Sequence, residues 1–342
     1  MNNSGQRVSI MDIASHCQVS AMTVSRVLRQ SPLVTSATRE RVLQAAEELG
    51  YLRGGRMGRP SNGNEAVVRR VLLICWSSGH NLALYHASLI TALEQRLTAN
   101  NCECLLLCGN GDYRGFIRML EAAKQRAAEI TFIIGDFPAA QLNAIIAAFP
   151  GAILLDNPGE TSIAPFTSLA FDNSAAANLG VEHLIECGAK KILLCLGPAE
   201  HFFSREILAG YQQALQKHGL PFSDDNILHA DFSAEGAAAA LATRLDRGQA
   251  FDAVFSNDEM AAGICRELLS RGIAIPAQVQ ICGCDNLPLG KLLYPSLTTV
   301  SLDYEQLADQ AIELISGQNH AQLPVNLRLP PKLVIRESSR PL

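Results

Sequence analysis

The chain has 342 residues, 48% of them hydrophobic, ten cysteines and a formal net charge of −5, so it exceeds one ordinary domain and can bury a core without disulfide staples. No apolar run approaches the eighteen residues of a membrane span, and the first residues, MNNSGQRVSIMD, lack the apolar centre of a secretory signal, which leads us to expect a cytoplasmic protein. Residues 1–70 hold ten Arg, no Lys and five acids, which leaves about −10 on the remainder; a basic head with an acidic body excludes a protein that wraps DNA over its whole surface.

Residues 9–29, SIMDIASHCQVSAMTVSRVLR, read as two short helices joined by a tight turn. Ile10, Ile13 and Ala14 share one helical face, and Val19, Val24, Val27 and Leu28 supply the apolar face opposite. Ser20 stands at an N-cap position, so the second helix starts at Ala21 and projects Ala21, Met22, Ser25, Arg26 and Arg29 outward. An outward helix of that size fits the major groove of DNA.

After Tyr51 comes LRGGRMGRPSNGNEA, whose glycines, proline and polar residues make it a linker. From Val68 onward apolar strand-like runs alternate with helical stretches: VLLICW (71–76), a helix near 84–99, ECLLLC (103–108), ITFII (130–134), GAILL (151–155), KKILLCL (190–196), DAVF (252–255) and VQICG (279–283). Such alternation predicts parallel sheets buried on both faces. Around 270 residues of it is more than one doubly wound sheet needs, so the α/β fold expected is two lobes with a small-molecule cleft between them. Cys75, Cys104, Cys108, Cys195 and Cys282 lie in these runs and are expected as buried, reduced thiols. The C-x-C pairs Cys102/Cys104 and Cys282/Cys284 reflect alternate strand residues pointing one way, so neither a metal nor another cofactor is expected.

These residues resemble the LacI/GalR family of bacterial transcriptional repressors nearly end to end. In the head the resemblance rests on Asp12-Ile13-Ala14, VSAMTVSRVL (19–28) and TRERVLQAAEELGY (38–51). In the body it rests on LGVEHLIECGAKKILLCLGP (179–198), LAGYQQAL (208–215), FSNDEMAAG (255–263), IPAQVQICGCDN (275–286) and PSLTTV (295–300). It implies a three-helix helix-turn-helix DNA-binding domain at 1–52, with helices near 10–17, 21–29 and 36–49, that reads half of a palindromic operator within a homodimer. Family base discrimination maps onto Ala21 and Met22, with Arg26 reaching a base edge, guanine by its chemistry. Thr23, Ser25, Arg29 and Ser36 map onto phosphate contacts, although the same residue types also cap helices.

The linker, 53–67, departs from the family. Where relatives place a minor-groove leucine this chain has Pro60, and Gly54, Gly55 and Gly58 disfavour a hinge helix by about 1 kcal/mol each. Two alternatives stand: Arg56-Met57-Gly58-Arg59-Pro60 lies extended in the minor groove, with Arg56 and Arg59 as contacts, or the segment is a flexible basic tether.

For residues 68–342 the resemblance implies a periplasmic-binding-protein-like core that crosses three times between lobes, lobe 1 at about 68–168 and 303–318, lobe 2 at about 169–302 and 319–342. The effector residues it implies are Trp76, Ser77, Asp156, Phe171, Asn257, Asp285 and Tyr304, strand-end polar groups with aromatic walls suited to a sugar, sugar acid or nucleoside. Asp258 reads as the cap of the following helix and Asn257 as the ligand contact. The clamping arginine of relatives is Ile207 here; Arg205 lies two residues, about 200°, around a helix, so either it enters from the preceding loop or the ligand differs from a typical hexose.

Helices near 84–99 and 236–247 are candidate dimer elements, and without a C-terminal leucine heptad a dimer is expected. A transport binding protein would share the body but lack the basic head. An enzyme would need a nucleophile elbow, Walker loop or H-E-x-x-H, none of which is present. The expectation is therefore a repressor of a catabolic or transport operon, not an enzyme, with no membrane partner; a protein partner or a phosphorylated metabolite as the signal is the alternative.

Overall fold

The computed structural model describes residues 10–28, 34–49, 69–77, 84–110, 112–126, 128–159, 166–316 and 324–340. The chain forms two compact units, residues 1–67 and 68–342.

The first unit contains α1 (Ile10–Cys17), α2 (Ala21–Leu28) and α3 (Ser36–Glu48). Its core is made of Ile13, Ala14 and Cys17 from α1, Val24 and Val27 from α2, and Val42, Ala45 and Ala46 from α3. Gln18 takes a left-handed φ of 53° in the turn, and Ser20 Oγ accepts the Thr23 N–H at 3.1 Å, which starts α2 cleanly.

The second unit runs, in chain order, β1 (Arg69–Ser77), α4 (Leu84–Ala99), β2 (Cys102–Asn110), α5 (Tyr113–Lys124), β3 (Ile130–Gly135), α6 (Ala139–Ala148), β4 (Ile153–Leu155), β5 (Thr167–Phe171), α7 (Asn173–Glu186), β6 (Ile192–Leu196), α8 (Phe202–Lys217), β7 (Ile227–His229), α9 (Ala234–Asp246), β8 (Ala253–Phe255), α10 (Asp258–Ser270), β9 (Gln280–Asp285), β10 (Thr298–Ser301), α11 (Tyr304–Ser316), β11 (Asn326–Leu329) and β12 (Lys332–Val334). The strands form two six-stranded sheets, β11-β5-β4-β3-β1-β2 and β12-β10-β9-β8-β6-β7. The first is parallel throughout; in the second only β12 runs antiparallel, against β10.

Alternation along β1 shows why its run is apolar without a break. Val71, Leu73 and Cys75 join one core with Leu89, Leu93 and Leu97 of α4, while Leu72, Ile74 and Trp76 join another with Phe116, Leu120, Leu142 and Ile145 of α5 and α6. Side chains start the helices: Asp112 caps α5, Asp172 caps α7, Ser233 caps α9 and Asn257 caps α10.

The chain crosses between lobes three times, at Asp172, at Leu302–Asp303 and at Pro330–Pro331, but the expected lobe limits need correction. Strand β5 continues to Phe171 in the first sheet, because Leu155 pairs with Leu169 in parallel register and keeps the segment beside β4. The return is longer than 303–318, since β11 pairs with β5. The thiols also differ from expectation. All ten cysteines are free, but Cys108 is exposed and Cys104 half-buried, because β2 is an edge strand of the first sheet.

Candidate functional site

In the head, the described residues bear on two of the sequence assignments. Ala21 is half-buried against the three-helix core rather than fully outward, and Thr23 Oγ1 lies 2.8 Å from Ser20 Oγ, so its hydroxyl supports the cap. The side chains of Met22, Ser25, Arg26 and Ser36, and all of Arg29, Arg56 and Arg59, lie outside the described residues.

In the core, residues from the C-terminal ends of strands of both sheets converge on one buried polar group. Asp156 follows β4 in a left-handed turn, φ 48°, and is 5% exposed. Its Oδ2 accepts the Tyr85 hydroxyl from the first turn of α4, and its Oδ1 accepts the Phe171 N–H at 3.3 Å. Burial pushes its carboxyl up to about 7 despite the pull of those two donors. Asp285 ends β9 at φ 118° and is 3% exposed. Burial, and then the like charges of Asp258, Asp156 and Glu259, push it well above the ordinary carboxylate range.

Aromatic rings close the space. Phe171 is fully buried and meets Tyr304 edge to face at 5.7 Å between centroids, and Tyr304 lies 6.0 Å from Tyr85. The Tyr304 hydroxyl is shut off from solvent with no hydrogen-bond partner among the described residues, as is His86 Nδ1. Burial, followed by the Asp285 charge, raises the Tyr304 phenol well above its usual range.

At this mouth His201, the N-cap of α8, places Nε2 3.7 Å from Asp136 Oδ2, a contact between the lobes. Burial lowers both His201 and His86 to about 4, with Arg205 adding to the first and His201 to the second, so the His201–Asp136 contact at neutral pH joins a neutral ring to a carboxylate.

Asp156, Phe171, Asp285 and Tyr304 therefore come together as the sequence implied, and three other assignments are corrected. Trp76 faces away, packing on Phe116 at 5.1 Å, Tyr113 at 5.8 Å and Phe137 at 6.1 Å, because it alternates with Cys75 across the sheet. Ser77, half-buried, ends β1. Asn257, not Asp258, caps α10, with Oδ1 accepting the Met260 N–H at 2.9 Å. Asp258 is fully buried and structural, taking the Thr299 hydroxyl at 2.6 Å and the Leu287 N–H at 2.7 Å. Arg205 sits in the first turn of α8, exposed, and donates to the Glu200 carbonyl, so it does not enter from a loop, while Ile207 is core. Sequence reasoning missed Tyr85, His86, Asp136 and His201. Their position just after the ends of β1, β3 and β6 is the signal that could have found them.

A helix-turn-helix unit joined in one chain to a two-lobed, doubly wound core with a buried interlobe polar group is the architecture of a DNA-binding regulator. Family models agree: "Bacterial regulatory proteins, lacI family" matches residues 9–53 and "Periplasmic binding protein-like domain" matches 181–339. The NTD biosynthesis operon regulator NtdR of Bacillus subtilis (strain 168) is 30% identical over 338 residues, covering 97% of this chain and 99% of that one. The transcriptional repressor CytR of Escherichia coli (strain K12) is 31% identical over 357 residues, covering 98% and 97%. Among solved structures, a transcriptional regulator CelR–cellobiose complex superposes with a TM-score of 0.71 at 23% identity, covering 97% of this chain and 100% of that one. A lac repressor dimer bound to operator and the anti-inducer ONPF gives 0.68 at 23% identity, covering 97% and 99%. The chain belongs to the LacI family of bacterial regulatory proteins, and it is a DNA-binding transcriptional regulator. Among the described residues no helix is long and apolar enough to cross a membrane.

Proposed function

We propose that this regulator is a cytoplasmic repressor of a catabolic or transport operon, that it binds a palindromic operator as a homodimer, and that a small polar effector in the interlobe cleft sets its affinity for DNA. The observation that carries the reading is the meeting of Asp156 and Tyr85 from one lobe with Asp285 from the other beside the rings of Phe171 and Tyr304. A ligand held by both lobes favours the arrangement in which they are closed, and a population shift of this kind needs a coupling of only about 1–3 kcal/mol to change operator occupancy 5- to 150-fold. These side chains hold and orient a ligand; none is assigned a bond-breaking step. Asn257 keeps its amide N–H groups for the ligand while its oxygen caps α10. In the head, Met22 and Arg26 read base edges, and Ser25, Arg29 and Ser36 hold phosphates, with Arg56 and Arg59 following in the minor groove.

Selection of bound sequences from random duplex DNA by the purified full chain tests this. Two inverted half-sites are expected to enrich, and Arg26→Ala is expected to weaken the selected site by about 1–3 kcal/mol and relax one position in each half. Enrichment of an asymmetric site would count against the dimer, and no enrichment against sequence-specific repression.

A further inference from the structure

We propose that the cleft takes a ligand bearing positive charge, of the aminated sugar or aminated polyol class, with Asp156 and Asp285 as its counter-ions. This deepens the effector reading above and rests on it.

Among the described residues, acidic groups around the cleft outnumber basic ones. From the first lobe come Asp136 and Asp156, and from the second Asp258, Glu259 and Asp285. Among the described residues three guanidinium groups act on side chains of the cleft, those of Arg328, Arg336 and Arg205, and each is committed. Arg328 pairs with Glu206 at 2.9 Å and donates to the Phe171 carbonyl at 3.1 Å; Arg336 donates to the Asn286 side chain at 2.6 Å and the Leu297 carbonyl at 2.6 Å. His86 and His201 are neutral at pH 7. At the position where the resemblance implies a clamping arginine, Ile207 is 2% exposed in the core, and Arg205 is turned to the Glu200 carbonyl. Among the described residues no donor is bonded to the Asp285 carboxylate, although it is almost fully buried.

An independent observation comes from Tyr304. Its hydroxyl is closed to solvent, feels the charges of both Asp285 and Asp156, and has no partner among the described residues, and His86 Nδ1 is likewise unpartnered among them. A buried hydroxyl without a partner is costly, and a polar ligand relieves the cost. Stranded acids and unused hydrogen-bonding atoms together define the complement: a cation that also carries hydroxyl groups, against the faces of Phe171, Tyr85 and Tyr304. A phosphate or carboxylate ligand would add to the repulsion already acting on Asp285. A cation lowers the cost of ionising Asp156 and Asp285, which burial otherwise keeps protonated, and a neutral sugar does not.

The test is calorimetric titration and thermal shift on the full chain, using hexoses and pentoses each in three forms: neutral sugar, amino sugar and N-acetylated amino sugar. At least one amino sugar is expected to bind ten-fold or more tighter than its neutral and acetylated counterparts at pH 7, and Asp285→Asn is expected to erase that preference in a protein whose circular dichroism is unchanged. Asp156→Asn provides the same test should Asp285→Asn fail to fold. Neutral forms binding as tightly as amines, or a preference that survives both substitutions, would overturn the charge assignment and leave the effector reading intact. A panel in which nothing binds and nothing alters operator affinity would overturn both.

Discussion

Asp156 concentrates the electrostatics of the core in one side chain. Its carboxyl titrates near 7 in the folded chain against the ordinary 3.8, so the folded state holds the proton more tightly than the unfolded one. For a carboxylate raised in this way, the contribution to stability is complete below about pH 4 and is lost as the pH rises through 7. His86 and His201 have the opposite sign, since folded values of about 4 stabilise above 6.5 and the gain is lost as the pH falls through 4. Asp156→Asn isolates the first effect. Its stability relative to the parent protein is expected to rise between pH 4 and pH 7.5, by up to about 4 kcal/mol, and then to level off, as read from urea midpoints at matched pH. A difference that does not vary with pH would show that the carboxyl is solvated. Asp156, Phe171, Asp285 and Tyr304 are legible in the sequence because each adjoins an apolar strand run or a shared motif. Trp76 is not, since a strand buried on both faces carries no mark of which face looks toward the cleft. Asn257 and Asp258 are adjacent and both can cap, and only the place where α10 starts decides between them. Tyr85 and His86 open a helix whose sequence reads as an ordinary amphipathic one.

At the level of elements, the L-A-G-Y motif is a packing device. A Cβ on Gly210 would lie 2.0 Å from the Ser174 carbonyl oxygen, so the glycine lets α8 rest directly on the backbone of α7, while the Tyr211 hydroxyl donates to the Ile192 carbonyl at 2.8 Å and ties α8 to β6. Gly210→Ala is expected to cost about 1–3 kcal/mol by overpacking, measured as a lowered urea midpoint with the m-value retained. An unchanged midpoint would mean that the two helices can separate freely. The strands found by their apolar runs are β1 to β4, β6, β8 and β9, and all of these but the edge strand β2 are buried along most of their length. The strands without such a run, β5, β7, β10, β11 and β12, are short or carry polar residues such as Thr298 and Thr299, which are buried because their hydroxyls meet Arg336, Ser339 and Asp258. Tertiary hydrogen bonding, not local pattern, places them. An edge position explains Cys108 in the same way, since a strand's place in the sheet order cannot be read from its own residues.

Across the whole molecule, the chain is divided between two units that each have their own core. A fragment of residues 68–342 is therefore expected to fold and to retain any effector binding found for the full chain, while losing operator binding altogether, as checked by thermal shift and fluorescence anisotropy with labelled DNA. Loss of effector binding in a folded fragment would place part of the ligand site in the head. The two-lobed plan was legible because its alternation is too long for one sheet; the lobe limits were not, because β11 joins the first sheet through β5, a partner distant in sequence, and β5 carries no long apolar run to mark where it ends.

Trp76 is the chain's only tryptophan, and it lies 6% exposed among Tyr113, Phe116 and Phe137 inside the first lobe. Light absorbed at the red edge of the protein spectrum is therefore emitted from a single address. Melting of the second lobe alone is dark at that wavelength, whereas backbone circular dichroism sees both halves. A lag between the two traces on heating resolves the order in which the lobes come apart, with no label attached to either.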